Sequence, residues 1–419
     1  MALALSVASA LGTGATAAQN VEIKSPSNYQ PNHALAAQLA RGEYLALAGN
    51  CASCHTTDSD GFMAGGLAFT TPFGLIYSTN ITPDVNHGIG SWSEADFARS
   101  LRHGERPDGE HLYPVFPYTA FTKMRDEDIR DLYAYFQSLT PIARPNQDNE
   151  LQFPFQYRSL LTVWKTLFLE DGPYQPDVDQ SASWNRGAYL VEGLTHCSAC
   201  HSPRNPLGAE DRSRLMHGGE YVDRVPGGLL RPWSAPGLTS SAAGLGAWTE
   251  DDLHAYLKTG RNGFLESFGP MNEVIMNSTR FLTDSDIDAM TVYLKSLPAA
   301  PQPEHSEPSG LEMGRGRTVY NLHCGTCHLP TGAGDPEMGP RLDAGSLVVQ
   351  AEDPASMLNV ILYGPETAHQ GVDSQWRKPM EEFQYILDDE EVAAVATFVR
   401  NSWSNRAGSV SVEQVRRQR

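Results

Sequence analysis

Cys51-Ala52-Ser53-Cys54-His55, Cys197-Ser198-Ala199-Cys200-His201 and Cys324-Gly325-Thr326-Cys327-His328 decide how this chain is read. All 6 cysteines fall in these stretches, as pairs three residues apart, and a histidine follows each pair. Cys-x-x-Cys-His is the attachment signature of c-type haem. The spacing has a chemical reason. Each thiol adds to one vinyl group of a porphyrin, two intervening residues span the ring edge, and the next histidine comes under the iron as proximal ligand. Other uses of the motif fit less well. A redox dithiol belongs in a thioredoxin-like context and needs no histidine. A zinc site wants paired knuckles. A disulfide does not close easily across two residues. The sequence therefore predicts three covalently bound haems c, attached through Cys51, Cys54, Cys197, Cys200, Cys324 and Cys327, with their iron on His55, His201 and His328.

The rest of the chain is compatible with that reading. Its 419 residues suggest three domains at about 150 residues each. Lys and Arg number 31 against 50 Asp and Glu, a net charge of −19, so an acidic surface repels phosphate backbones and no nucleic-acid partner is expected. A charged fraction of 19% beside 40% apolar residues fits a globular chain. No apolar run reaches the roughly 18 residues that a spanning helix needs. Residues 1–18, MALALSVASALGTGATAA, resemble the apolar region and small-residue cleavage site of a secretory signal peptide, without its basic start. Export would place the mature chain in the periplasm.

Around each motif the sequence repeats itself. Arg41-Gly42-Glu43-Tyr44, Arg186-Gly187-Ala188-Tyr189 and Arg315-Gly316-Arg317 lead in, each on a helical stretch that ends at the first cysteine. Downstream, Ser93-Glu94-Ala95-Asp96 and Thr249-Glu250-Asp251-Asp252 carry N-cap signatures. Each unit closes on a helix with an acidic start, at Asp126, Asp284 and Asp388. The expected organisation is a first unit over 19–140, a linker over 141–182, a second unit over 183–298, a linker over 299–308, a third unit over 309–405 and a tail over 406–419. Leu160 to Leu169 in the first linker is apolar enough to pack between units, on a partner or on a membrane surface. The basic end of the tail reads as solvated, with anionic lipid as the alternative.

A haem that transfers electrons at high potential takes His and Met. Met380 follows Pro379 before the last helix of unit three, and Met271 follows Pro270 in unit two, with Met276 second there. In unit one the matching loop reads Leu112-Tyr113-Pro114-Val115-Phe116-Pro117-Tyr118, and Phe116 cannot ligate iron. Met124 is the expected ligand of that haem, and Met63 is more distant. The alternative leaves Met124 as helix packing and the first haem five-coordinate, or ligated by His103 or His111. An open haem would admit small ligands.

These motifs, with residues 71–84 (TPFGLIYSTNITPD), Trp184 to Gly193 and Val399 to Asn405, resemble the triheme cytochrome c subunit of membrane-bound bacterial dehydrogenases, over about residues 35–415. The resemblance implies an all-α fold of three class I cytochrome c domains in tandem joined by linkers. It implies an electron-transfer subunit rather than an enzyme acting on substrate, with haem c (iron) as cofactor. The implied partners are a catalytic dehydrogenase subunit of the pyrroloquinoline quinone, flavin or molybdopterin type, ubiquinone, and the membrane surface on the periplasmic side, bound peripherally. A free periplasmic shuttle and a haem enzyme using an open first haem are the alternatives; a haem-based sensor would need an output domain that is not visible.

Overall fold

The computed structural model describes residues 33–57, 60–224, 229–301, 303–335, 337–343, 345–365, 367 and 380–419. The signal-peptide-like segment 1–18 lies outside them. In the first unit, α1 (His33–Ala48) runs into α2 (Cys51–His55), followed by α3 (Glu94–His103), α4 (Tyr118–Phe121) and α5 (Asp126–Ser138). The connecting stretch holds α6 (Leu160–Phe168). The second unit has α7 (Ala182–Tyr189), which continues as a π turn over Leu190–Leu194, then α8 (Ser198–His201), α9 (Glu250–Thr259), α10 (Pro270–Asn277) and α11 (Asp284–Ser296). The third has α12 (Gly310–His323), α13 (Gly325–His328), α14 (Leu347–Gln350), α15 (Ala355–Tyr363), α16 (Asp389–Arg400) and α17 (Val412–Gln418).

The repeats become one packing arrangement made three times. α1 crosses α5, α7 crosses α11, and α12 crosses α16. At each crossing the repeat glycine meets the facing backbone. A Cβ on Gly42 would strike the Asp131 carbonyl, on Gly187 that of Ala289, and on Gly316 that of Ala394. Only a residue without a side chain lets the helices approach so closely. The sequence signals at helix starts hold as well. Ser93 with Asp96, and Thr249 with Asp252, form reciprocal capping boxes on α3 and α9.

The expectation of an all-α chain needs correction. Two small antiparallel sheets occur among the described residues. β1 (Ala68–Thr71), β2 (Gly74–Tyr77) and β3 (Glu150–Leu151) form one, and β4 (Gly219–Arg224) with β5 (Leu230–Ala235) the other. The first hairpin closes across Thr71 and Gly74, with Gly74 at φ 124° and the Thr71 hydroxyl on its carbonyl at 2.8 Å. Aromatic and β-branched residues on either side of that turn favour the extended chain.

The units do not lie as three separate beads. Units one and two share a single hydrophobic core, from Leu45 and Phe136 through to Leu190 and Met290. Unit three has its own, around Tyr320, Leu362 and Val395, and lends Leu347 of α14 to the first. The seam between units one and two is reciprocal. The Tyr44 hydroxyl donates to Asp286 at 2.6 Å, and the Tyr189 hydroxyl donates to Asp128. The facing glycine contacts put Asp128 and Asp286 at the same place in their helices. Unit three has Thr318 where the others have tyrosine, and its hydroxyl turns back to the Gly314 carbonyl. That unit docks instead on β5: Ser356 exchanges hydrogen bonds with Ser234, and Asn359 reaches the Pro232 carbonyl.

The tail is not free. Val415 of α17 is fully buried, and Arg416 and Arg419 both reach Asp389. The basic end is largely committed within the chain. No helix among the described residues is long and apolar enough to cross a membrane.

Candidate functional site

Each motif folds as a short helix at the end of a long one. α2, α8 and α13 follow α1, the π turn and α12 almost without a break, so each motif begins against its own helix crossing. The residue before the first cysteine turns left-handed in units one and two, with Asn50 at φ 51° and His196 at φ 40°. In unit three His323 closes the helix instead.

The three histidines share one environment. His55 Nδ1 lies 2.6 Å from the Thr79 carbonyl, His201 Nδ1 lies 2.7 Å from that of Pro236, and His328 Nδ1 lies 2.7 Å from that of Pro340. A carbonyl can only accept, so Nδ1 carries the proton and the Nε2 lone pair is left for a metal. Burial also lowers the pKa of all three imidazoles, which favours the neutral ring. The backbone carbonyls of the histidines are fixed too. They accept from the N–H of Gly65, Gly218 and Gly334, which are left-handed in each case. One donor set is thus built three times, on three different loops.

The cysteine side chains are partly buried. Burial pushes the thiols of Cys51, Cys54 and Cys324 up to about 12 and that of Cys200 to about 11. No group of three or more His, Cys, Asp or Glu able to hold a metal ion occurs among the described residues. A largely apolar cavity of about 1840 Å³ opens beside Cys51, Cys54, His55 and Cys200. It spans the first two motifs and is far larger than a small-metabolite site. The buried Trp233 Nε1, packed on Gly269 next to the loop of Met271, has no hydrogen-bond partner among the described residues. The oriented Nε2 beside a cysteine pair recurs at all three motifs, and at the first two an apolar cavity adjoins it; this donor set fits covalently bound haem c.

The expected sulfur ligands fall in different surroundings. Met271 stands at the start of α10 and packs on the shared core. Met276, the second choice, receives an Arg280 guanidinium N–H at 3.4 Å, which occupies its sulfur. Met380 packs on the third core beside Gly364; Lys378 and Pro379 lie outside the described residues. Met124 is fully buried and lines the same cavity as Cys51, His55 and Phe116. Met63 is buried two residues before Gly65, so it belongs with the His55 carbonyl.

Both histidines considered for the first haem are engaged elsewhere. His111 contacts Lys165 Nζ through Nδ1 at 2.8 Å and Thr162 through Nε2 at 2.8 Å. His103 lies 3.3 Å from Asp171. Lys165 also donates to the Gly104 carbonyl, and burial pushes its ammonium down to about 8. That contact pins α6 to unit one, while Leu160, Val163 and Leu167 stay exposed at the mouth of the same cavity.

The residues that the sequence could not supply are the acceptors Thr79, Pro236 and Pro340. They act through backbone carbonyls, which carry no side-chain signature, and lie 24, 35 and 12 residues from their histidines.

Comparison with known proteins agrees with this geometry. The model of the cytochrome c family matches residues 39–140 and 313–403. The fructose dehydrogenase cytochrome subunit of Gluconobacter japonicus is 35% identical over 423 residues, covering 94% of this chain and 85% of that protein. The alcohol dehydrogenase (quinone), cytochrome c subunit of Gluconobacter oxydans (strain 621H) is 38% identical over 403 residues, covering 91% and 82%. A nicotinate dehydrogenase subunit of Pseudomonas putida is 41% identical over 383 residues; these cover 88% of this chain but only 30% of that longer protein.

Proposed function

The chain belongs to the cytochrome c subunits of dehydrogenase complexes, and from that premise we propose that it is a triheme electron-transfer subunit. It takes electrons from a catalytic dehydrogenase subunit and passes them to ubiquinone or another terminal acceptor. The observation that carries the reading is the histidine environment repeated under all three motifs. Haem c supplies one-electron redox chemistry when bound, and the chain supplies everything that makes it directional and lasting. The cysteine pairs hold each ring covalently. The carbonyls of Thr79, Pro236 and Pro340 fix the tautomer and orientation of His55, His201 and His328, and strengthen each imidazole as a donor. Met271 and Met380 are the proposed sixth ligands of the second and third sites. The shared core of units one and two holds two attachment sites at a fixed separation, as fast transfer requires.

The catalytic partner carries pyrroloquinoline quinone, a flavin or molybdopterin, and oxidises an alcohol, aldehyde, sugar or related substrate. We place the chain on the periplasmic side of the inner membrane, held peripherally. The exposed apolar side of α6 supports a surface contact there. The test is purification of the tagged full chain from membranes. A stoichiometric dehydrogenase in the eluate is the expected result, and its cofactor names the substrate class. A lone soluble red protein would overturn the subunit reading in favour of a free shuttle.

A further inference from the structure

We propose that the first haem site keeps an open sixth position, walled by Phe116, that binds a small exogenous ligand such as carbon monoxide or cyanide. This rests on the three-haem reading, and on a register between units that the structure supplies.

α3 and α9 end alike, on the left-handed Gly104 and Gly260. A short bridge follows each, between Glu105 and His111 and between Arg261 and Glu266. The chain then returns to the glycine: Leu112 N–H donates to the Gly104 carbonyl at 2.7 Å, and Ser267 N–H to the Gly260 carbonyl at 2.6 Å. Four residues past each return stand Phe116 and Met271. Both are partly buried against the same core. The place that gives unit two its sulfur gives unit one a phenyl ring.

Met124 does not replace it. The contacts of Gly42, Gly187 and Gly316 align Asp131, Ala289 and Ala394. Counting back from these, Met124 takes the position of Leu282 and Leu387, immediately before the closing helix. All three are buried core residues. Leucine cannot ligate iron, so packing is what this position does in the other two units. Met63 fails by the same method. It corresponds to Met216 and Gly332, each two residues before the glycine that binds the histidine carbonyl, and all three are left-handed. They belong to the histidine side of the site. His111 and His103 are held by Lys165, Thr162 and Asp171, as described above.

The experiment uses the full chain with its haems counted by pyridine haemochrome. Three haems per chain, with one in three shifting its spectrum when carbon monoxide is added to the reduced protein, is the expected result. Phe116→Met should abolish that carbon monoxide response and add a third methionine-ligated ferric haem to the near-infrared spectrum. Met124→Leu should leave the response as in the wild type. Three haems with no carbon monoxide response would overturn the inference. So would a wild type that becomes responsive only as Met124→Leu, because Met124 would then be the ligand. A haem count other than three would overturn the underlying reading instead.

Discussion

Gly42, Gly187 and Gly316 show how much one hydrogen atom in place of a side chain can decide. Each faces a carbonyl of the crossing helix at a distance that no Cβ tolerates. Alanine at any of the three should force the helices apart and lower stability by about 1–3 kcal/mol, the usual cost of overpacking. Denaturant midpoints of the single variants would measure it, and an unchanged midpoint would show that the crossing can give. The sequence carries these glycines plainly, as the second residue of each repeat. It carries the cysteines and histidines just as plainly. At Met124 the residue type does not decide between two roles, because a methionine fills a core gap as readily as it offers sulfur. Its role depends on what stands in the same place in the other units, and only the helix contacts align those places.

Among the elements, the lead-in helices do two jobs. Their glycines make the crossing within a unit, and the tyrosines two residues further on make the seam between units one and two. Tyr44→Phe and Tyr189→Phe should each weaken that seam by about 1.5–3 kcal/mol, the range for hydrogen bonds to a charged partner. Thermal unfolding reads the loss, and the third unit's transition should not move, since Thr318 takes no part. The helix starts, with their capping boxes, are legible because capping depends on a few adjacent residues. The hairpins are not, because short strands in a helical chain leave little periodicity. The linker over 141–182 was legible as more than a spacer, since its apolar stretch Leu160 to Leu169 becomes α6; that Lys165 holds it on the Gly104 carbonyl was not. The expected tail is a packed helix for a similar reason: Arg416 and Arg419 find Asp389 far away in sequence.

For the whole molecule, the division of the core matters most. Units one and two are built on one hydrophobic cluster, and unit three, Leu347 apart, on another. Cooperative unfolding follows buried apolar contact, so the holoprotein should melt in two transitions, one for the first pair and one for the third unit. Calorimetry of the wild type, and of a Cys324→Ser/Cys327→Ser variant that loses the third attachment, tests this. The variant should hold two haems and lose or lower one transition only. A single transition that moves as a whole would show that the docking of Ser356 and Asn359 on β5 couples all three units.

The sequence by itself determined three Cys-x-x-Cys-His motifs, three lead-ins and three closing helices. All of these are local patterns, with each signal within a few residues of the next. The tertiary structure decided what depends on distant residues meeting. It chose the carbonyls that orient the histidines, joined two units into one core and docked the third, with a core of its own, on β5, and aligned Phe116 with Met271 and Met124 with Leu282. The physical reason is the same each time. Backbone acceptors and packing neighbours have no sequence signature of their own, and they acquire a role only from the chain brought against them.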